Sequence, residues 1–296
     1  MITGTVLKAY GGYYYVQAGD TIYTCRLRGR VKARGPVLPG DRVEMDVLPD
    51  GNGLIARVAP RSSELVRPSV ANVDQVAVVT SFHEPEPVSQ LVNRLLLQAE
   101  ARNLGALVVV NKTDLAGPGE RDAPWIEGLR LAGYPVLLTS TVTGEGLTGL
   151  KAALAGRLSV LAGPSGVGKS SILRHLLSEP DAARVKTGEV SRKLGGGRHT
   201  TRHAEIFPLP SGGWVVDAPG FSRLYLPRLS REELASCFPE MRPFIGHCRF
   251  NGCLHDQEPD CAVKDGVRNG FIAAQRYEDY LAFLREVAES ERGFPK

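Results

Sequence analysis

Over the first 60 residues the apolar positions fall in short alternating runs separated by turn signals, the pattern of half-buried strands. The runs lie at 3–9, 13–18, 21–28, 42–48 and 53–58, and Gly11-Gly12, Gly35-Pro36, Pro39-Gly40 and Asp50-Gly51-Asn52-Gly53 punctuate them. Five short strands in so short a stretch predict a small closed barrel of the OB type, with an SH3-like barrel as the alternative. Residues 60–69 read as a linker. From Asp74 strands alternate with helices: strands at 75–81, 106–110, 135–140, 158–161 and 214–217, helices at 88–103, 124–131, 147–154 and 169–177. Val88, Leu91, Val92, Leu95, Leu96 and Ala99 share one face of the first helix. Such alternation predicts a mostly parallel sheet covered on both faces. After residue 229 the strand pattern stops. Ser230-Arg231-Glu232-Glu233 is a capping box, and a further helix is expected at 269–289.

Composition changes this picture little, and charge changes it locally. With 296 residues the chain is long enough for two or three domains. No apolar run approaches the ~18 residues of a membrane span, and the start, Met1-Ile2-Thr3-Gly4-Thr5, lacks the features of a signal peptide. The expected compartment is the cytoplasm, where thiols stay reduced. Net charge is +4, and all of it resides in residues 1–67, which hold ten Lys/Arg against six Asp/Glu. The centre of that excess is Arg26, Arg28, Arg30, Lys32 and Arg34. Alternate positions share one face of a strand, so the run reads either as a solvated face or as a stripe for nucleic-acid phosphates. Tyr10, Tyr13, Tyr14, Tyr15 and Tyr23 lie nearby and either stack on bases or fill the barrel.

Three constellations carry chemistry. Gly163-Pro164-Ser165-Gly166-Val167-Gly168-Lys169-Ser170 is a P-loop between a strand and a helix, with Ser171 following. Its backbone N–H groups and the helix N-terminus suit phosphate oxygens. Lys169 is expected on the β- and γ-phosphates and Ser170 on Mg²⁺. The loop alone would also fit a nucleotide kinase or a transporter ATPase. Asn111-Lys112-Thr113-Asp114, at a strand end, decides for guanine: Asp114 can accept from both N1–H and the 2-amino group, and adenine offers neither donor there. Asn111 would brace the loop and meet N7, and the Lys112 stem would cover the base. Thr139, Ser140 and Thr141 are placed to offer backbone N–H groups to guanine O6. Asp217-Ala218-Pro219-Gly220 ends a strand, with Asp217 reaching Mg²⁺ through water and Gly220 the γ-phosphate. Gly195-Gly196-Gly197-Arg198-His199-Thr200-Thr201 has the composition of a switch whose threonine closes on Mg²⁺. The base-reading motif precedes the P-loop, a permuted order that leaves such a site intact because its loops share one sheet edge. The third constellation, Cys248, Cys253, His255 and Cys261, supplies the four ligands of a structural Zn²⁺. His247 is a rival ligand, and Cys25 and Cys237 read as isolated thiols.

Together the barrel, the permuted motifs and the Cys₃His set resemble the RsgA (YjeQ) family over nearly the whole chain. The resemblance implies an OB-type β-barrel at 1–67, a circularly permuted α/β P-loop GTPase domain at 68–229 and a helical zinc-binding domain at 230–296. It implies a late assembly factor of the small ribosomal subunit that binds rRNA and hydrolyses GTP to GDP and phosphate under stimulation by the subunit. GTP, GDP, the subunit and its rRNA are the expected partners, with no membrane, and a monomer is expected. Ala218 departs from the threonine of many relatives, at little cost. Phe221 stands where Ras-like GTPases place the water-orienting glutamine. His199, beside Thr200 and Thr201, is therefore the candidate to orient the attacking water.

Overall fold

In the computed structural model, residues 1–29, 35–66, 69–183, 185, 205–217 and 226–293 are described. The first five strands are β1 (Ile2–Tyr10), β2 (Tyr13–Ala18), β3 (Thr21–Leu27), β4 (Arg42–Val47) and β5 (Gly53–Val58). They close into a barrel in the order β1-β2-β3-β5-β4. β3 runs parallel to β5 while the other neighbours pair antiparallel, so the barrel is of the OB type and not SH3-like. Val6, Val16, Cys25, Val43, Met45 and Ile55 form its core, with Tyr14 and Tyr23 packed against them. Tyr10, Tyr13 and Tyr15 are exposed. The tyrosines therefore divide between filling the barrel and facing solvent.

The stretch 60–69 is more than a linker. It holds most of a small hairpin, β6 (Glu64–Val66) and β7 (Ser69–Ala71). The Arg61 guanidinium donates to both oxygens of the buried Asp41 at 2.7 and 2.8 Å and to Glu64 at 2.7 Å. Asn72 donates to the Gly40 carbonyl and accepts from the Ser62 N–H. These polar anchors hold the segment to the barrel, and a hydrophobic pattern does not register them.

The remaining elements are β8 (Gln75–Ser81), α1 (Ser89–Glu100), β9 (Gly105–Asn111), α2 (Pro124–Leu131), β10 (Val136–Leu138), α3 (Leu147–Leu154), β11 (Leu158–Ala162), α4 (Lys169–Leu176), α5 (Glu179–Ala182), β12 (Glu205–Pro208), β13 (Trp214–Asp217), α6 (Arg231–Leu234), α7 (Ala262–Arg268) and α8 (Ala274–Gly293). Among the described residues no helix is long and apolar enough to cross a membrane. The chain forms two compact units, each drawn from several stretches. One comprises Met1–Val76, Leu147–Ala162 and Lys169–Ser222. In it β11 runs parallel to β13, and β12, absent from the sequence reading, pairs antiparallel with β13. The barrel touches this hairpin: Trp214 Nε1 donates to Gln17 at 2.8 Å, and Lys8 pairs with Glu205 at 3.4 Å.

The other unit comprises Ala77–Gly146, Gly163–Gly168 and Arg223–Lys296. Its strands lie in the order β10-β9-β8, with β10 parallel to β9. The capping box is present, Ser230 and Glu233 bonding reciprocally at the start of α6. The helix expected at 269–289 is α8, which starts at Ala274 because α7 ends at Arg268, just before Asn269-Gly270. Leu234, Phe238, Met241, Tyr280, Phe283 and Val287 form the C-terminal core.

Helix α1 is buried more widely than its predicted face. Val88 is exposed, whereas Asn93 and Leu97 are buried with Val92, Leu95, Leu96 and Ala99. Leu97 joins the C-terminal core. Asn93 donates to Asp279 at 2.5 Å and accepts from Arg276 at 2.5 Å. Arg276 is 3% exposed and forms a bidentate pair with the buried Glu240 at 2.6 and 2.9 Å. The Tyr134 and Phe238 rings flank its guanidinium at 5.3 and 5.0 Å. Removing one partner of such a pair strands the other charge, while removing both does not. Arg276→Met should destabilise the protein by about 3–5 kcal/mol in urea unfolding. Arg276→Met with Glu240→Met should recover most of that loss, and a double variant no more stable than the single would refute the pairing.

Candidate functional site

Three strand ends and the head of the P-loop converge in the second unit. Asn111 closes β9 and is 1% exposed. Its Nδ2 donates to the Val167 carbonyl at 2.9 Å, and its Oδ1 accepts from the Thr139 hydroxyl at 3.2 Å. Its carbonyl accepts from Phe82 N–H at 3.1 Å. One side chain thus joins the base-reading loop, the loop after β10 and the phosphate loop. Glycine is required at two close approaches of the phosphate loop. At Gly168 a Cβ would lie 2.3 Å from Asn111 Nδ2, and at Gly163 one would lie 2.1 Å from the Val79 carbonyl.

Lys112 has left-handed backbone, φ 63°, which turns the chain out of β9. Its ammonium donates to the Glu84 carbonyl on the loop after β8. Thr113 is buried and opens a 3₁₀ turn. Asp114 is exposed, with one carboxylate oxygen taking the Ser140 hydroxyl at 2.5 Å. Ser140 is fully buried, and its oxygen accepts from the N–H groups of Val142 and Thr143, both at 3.1 Å. The Ser140 N–H is already bonded to the Glu145 carbonyl at 3.0 Å, and that of Thr139 to Val110 at 2.9 Å. The backbone donor expected for guanine O6 therefore narrows to Thr141.

Ser165 and Gly166 are exposed at the tip of the P-loop, and Val167 is buried beneath them. The chain passes from Gly168 directly into α4, whose first residues are Lys169, Ser170 and Ser171. Asp217 ends β13, its backbone paired with Glu205. Gly220, Phe221 and the whole of Gly195 to Thr201, with His199 and Thr200, lie outside the described residues. So do Arg30, Lys32 and Arg34. Arg26 stacks over Tyr13, 4.6 Å from the ring centre, and Arg28 faces Asp46 at 3.4 Å.

Cys248, Cys253, His255 and Cys261 come together, their ligand atoms all within 4.8 Å of one another. Tetrahedral zinc, with Zn–S of about 2.3 Å and Zn–N of about 2.0 Å, sets S···S near about 3.8 Å and S···N near about 3.5 Å. Cys248 and Cys261 are 3.8 Å apart, and His255 Nδ1 lies 3.5 and 3.3 Å from them. Burial lowers His255, which keeps the imidazole neutral and fit to ligate. Tyr277 and Tyr280 of α8 donate to the carbonyls of His255 and Leu254 at 2.7 and 2.6 Å, bracing the backbone. His247 is exposed and does not join the set.

Several residues at the base-reading loop carry no motif and were not read from the sequence. Glu145 accepts from Thr113 and from Arg121. His83 joins Glu86 at 2.9 Å and Glu120 at 3.0 Å, tying the loop after β8 to the end of the base-reading loop. A flanking Gly144-Glu145-Gly146 is the one available signal, and it is a turn signal first.

The chain matches known proteins over nearly its whole length. The RsgA GTPase family model matches residues 58–227 and the RsgA N-terminal domain model residues 3–55. The small ribosomal subunit biogenesis GTPase RsgA of Moorella thermoacetica is 51% identical, over 98% of this chain and 99% of its own length. That of Carboxydothermus hydrogenoformans is 43% identical over 98% and 99%. The crystal structure of YjeQ from Thermotoga maritima matches with a TM-score of 0.81 at 34% identity, covering 97% of this chain and 98% of that one. That of YloQ, a circularly permuted GTPase, matches at 0.83 with 32% identity, covering 100% and 97%.

The His83 tie is pH-dependent. Its two carboxylate partners, Glu86 first and then Glu120, raise the imidazole above the usual 6.5. A raised histidine contributes fully below its ordinary value and loses the contribution as pH rises through the raised one. An NMR titration should find His83 above 6.5, and Glu86→Gln should lower it towards the ordinary value. A His83 that titrates normally in the wild-type protein would remove the tie.

Proposed function

The chain belongs to the RsgA family of circularly permuted, GTP-hydrolysing P-loop GTPases, and on that premise we propose that it matures the small ribosomal subunit, binding rRNA and hydrolysing GTP to GDP and phosphate when the subunit stimulates it. The observation that carries the nucleotide reading is the Asn111 amide on the Val167 carbonyl at 2.9 Å, which fixes the base-reading loop to the phosphate loop. Asp114 reads guanine N1–H and the 2-amino group, and Thr141 N–H meets O6. Lys112 covers the base. Residues 163–168 wrap the phosphates, and Lys169 spans the β- and γ-phosphates. Ser170 and Asp217 would hold Mg²⁺, which when bound would supply charge neutralisation where negative charge develops. Thr200 or Thr201 closes on that side, and Gly220 N–H meets the γ-phosphate.

The family names of the relatives support the small subunit as partner. Arg26 and Arg28 contact rRNA phosphates, a role that the basic run in the sequence extends to Arg30, Lys32 and Arg34, which lie outside the described residues. Arg26 stacked on the exposed Tyr13 is the kind of cation–aromatic platform that accepts a base. Zinc on Cys248, Cys253, His255 and Cys261 is structural, one ion per chain, because four protein ligands leave no open position. The segments 1–67, 68–229 and 230–296 correspond to an RNA-binding barrel, a permuted GTPase domain and a helical zinc-knuckle domain. The protein acts as a cytoplasmic monomer.

His199 orients the attacking water, since Phe221 offers no hydrogen bond for the task. Neutral imidazole accepts from water at physiological pH. The test is single-turnover GTP hydrolysis with and without purified small subunits. Wild-type turnover should rise strongly with subunits. His199→Ala should lose about a hundredfold of the stimulated rate while GTP affinity and subunit binding stay near normal. Absence of stimulation in the wild type would overturn the subunit's role, and stimulation surviving in His199→Ala would overturn the histidine's.

A further inference from the structure

Glu145 lies outside every nucleotide-binding motif in the sequence, yet it sits at the junction of the two loops that face the base. Its Oε2 accepts from the buried Thr113 hydroxyl at 2.7 Å. Arg121 closes on the same carboxylate with two contacts, at 2.7 and 3.1 Å. Its backbone carbonyl accepts the Ser140 N–H at 3.0 Å, and the Ser140 hydroxyl donates to Asp114 at 2.5 Å. Thr113 is the chain neighbour of Asp114. The contacts therefore form a closed ring: Asp114 to Ser140, Ser140 to Glu145, Glu145 to Thr113, and back along the chain.

The ring has a geometrical consequence. An aspartate selects guanine only if both of its acceptors meet N1–H and the 2-amino group together, and hydrogen bonds weaken steeply with misalignment. Asp114 is exposed, so packing does not aim it. Ser140 holds one of its oxygens, and Ser140 is only as fixed as the loop that carries it. Glu145 ties that loop to Thr113 on one side and to Arg121 on the other. The turn Glu120–Asp122 that carries Arg121 is itself anchored, since the adjacent Glu120 accepts from Gly117 N–H at 2.7 Å and meets His83 at 3.0 Å.

The charge on Glu145 matters as well as its shape. The Thr113 hydroxyl and then Arg121 hold its carboxyl below the usual range, against the opposing charge of Asp114. An ionised carboxylate accepts at both oxygens, which a bidentate guanidinium requires. An amide of the same size would turn an NH₂ towards Arg121 and set donor against donor.

We infer that Glu145, clamped by Arg121, is a specificity-determining positioning residue that fixes the spacing of the loops 111–122 and 139–146 and so aims Asp114 at the guanine edge. This inference rests on Asp114 being the base-reading carboxylate. It does not require Glu145 to touch the nucleotide.

The test compares GTP with ITP, whose hypoxanthine base lacks only the 2-amino group. Affinities are measured by competition against a fluorescent GDP, and folding by thermal unfolding. Wild type should prefer GTP. Glu145→Gln should weaken GTP about tenfold, the worth of one charge-assisted hydrogen bond, and change ITP little, so that discrimination falls by the same factor. Arg121→Gln, at a half-exposed position and so safe for folding, should lower discrimination in the same direction. Arg121→Lys, which keeps the charge but not the fork, should fall between. Unaltered discrimination in folded Glu145→Gln or Arg121→Gln would overturn the inference and leave Asp114's role standing. Equal weakening of GTP and ITP would also overturn it, reducing Glu145 to a general loop support. A wild type indifferent between GTP and ITP would instead remove the guanine reading on which it stands.

Discussion

The side-chain amide of Asn111 is the contact on which the nucleotide site depends, donating to the Val167 carbonyl at 2.9 Å and accepting from Thr139 at 3.2 Å. It is nearly fully buried, so each of its bonds carries the cost of an unsatisfied polar group if lost, about 1–3 kcal/mol. Through it the loop that begins at Asn111, the loop after β10 and the P-loop are joined. The glycine at 168 follows from this closeness, since any side chain there would displace the amide. The permuted order of the motifs also becomes intelligible. Asn111 and Val167 are 56 residues apart and meet through space. The site asks only that the strand ends be adjacent, whichever of them the chain visits first.

Around this contact the protein uses polar ties where a hydrophobic seam would leave loops free to slide. Glu145, Arg121, Glu120 and His83 lace the rim of the base site. Asn93, Arg276, Glu240 and Asp279 do the same beneath α1, binding the C-terminal helices to it. Arg61, Asp41 and Asn72 hold the hairpin β6–β7 to the barrel. The second and third sets are largely buried and multiply bonded, the condition under which polar networks specify one arrangement, whereas the first lies at the surface, with Arg121 and Glu145 48% and 38% exposed. Cys248 and Cys261, at 3.8 Å, and His255 Nδ1 beside them are already at the separations of a tetrahedral site. The tyrosines of α8 that brace this cluster belong to the helix that also carries Arg276.

Much of this was legible in the sequence, for two physical reasons. Alternation and helical periodicity reflect burial, so the five barrel strands, α2 and α3 were readable to within a residue or two. Phosphate, guanine and zinc each demand rare residue types at fixed spacing, so 163–170, 111–114 and the Cys₃His set stood out. What was missed carries neither signal. β12 is four residues long and ends in Pro208, at the antiparallel edge of β13. The second face of α1 is marked by Asn93 and Leu97, and a lone asparagine reads as solvated until Arg276 and Asp279 are seen beside it. The hairpin β6–β7 is held by Arg61, which reads as a linker residue, and by Asn72, just beyond that stretch. Glu145 looks like part of a turn because its partners are 24 and 32 residues away. The switch candidates His199, Thr200 and Thr201 and three of the five residues of the basic stripe, Arg30, Lys32 and Arg34, lie outside the described residues, and their roles rest on motif chemistry.

If the proposed site is right, a guanine base sits against Asp114 while its phosphates lie in the loop that Asn111 holds. The most direct measurement is competitive binding of GTP and XTP to the wild type and to Asp114→Asn. Xanthine replaces the 2-amino group with a carbonyl, so it needs a donor where guanine needs an acceptor. Wild type should prefer GTP, and Asp114→Asn should reverse the preference towards XTP, an overall swing of about a hundredfold or more. An Asp114→Asn protein that still selects GTP over XTP as the wild type does would contradict the proposed site.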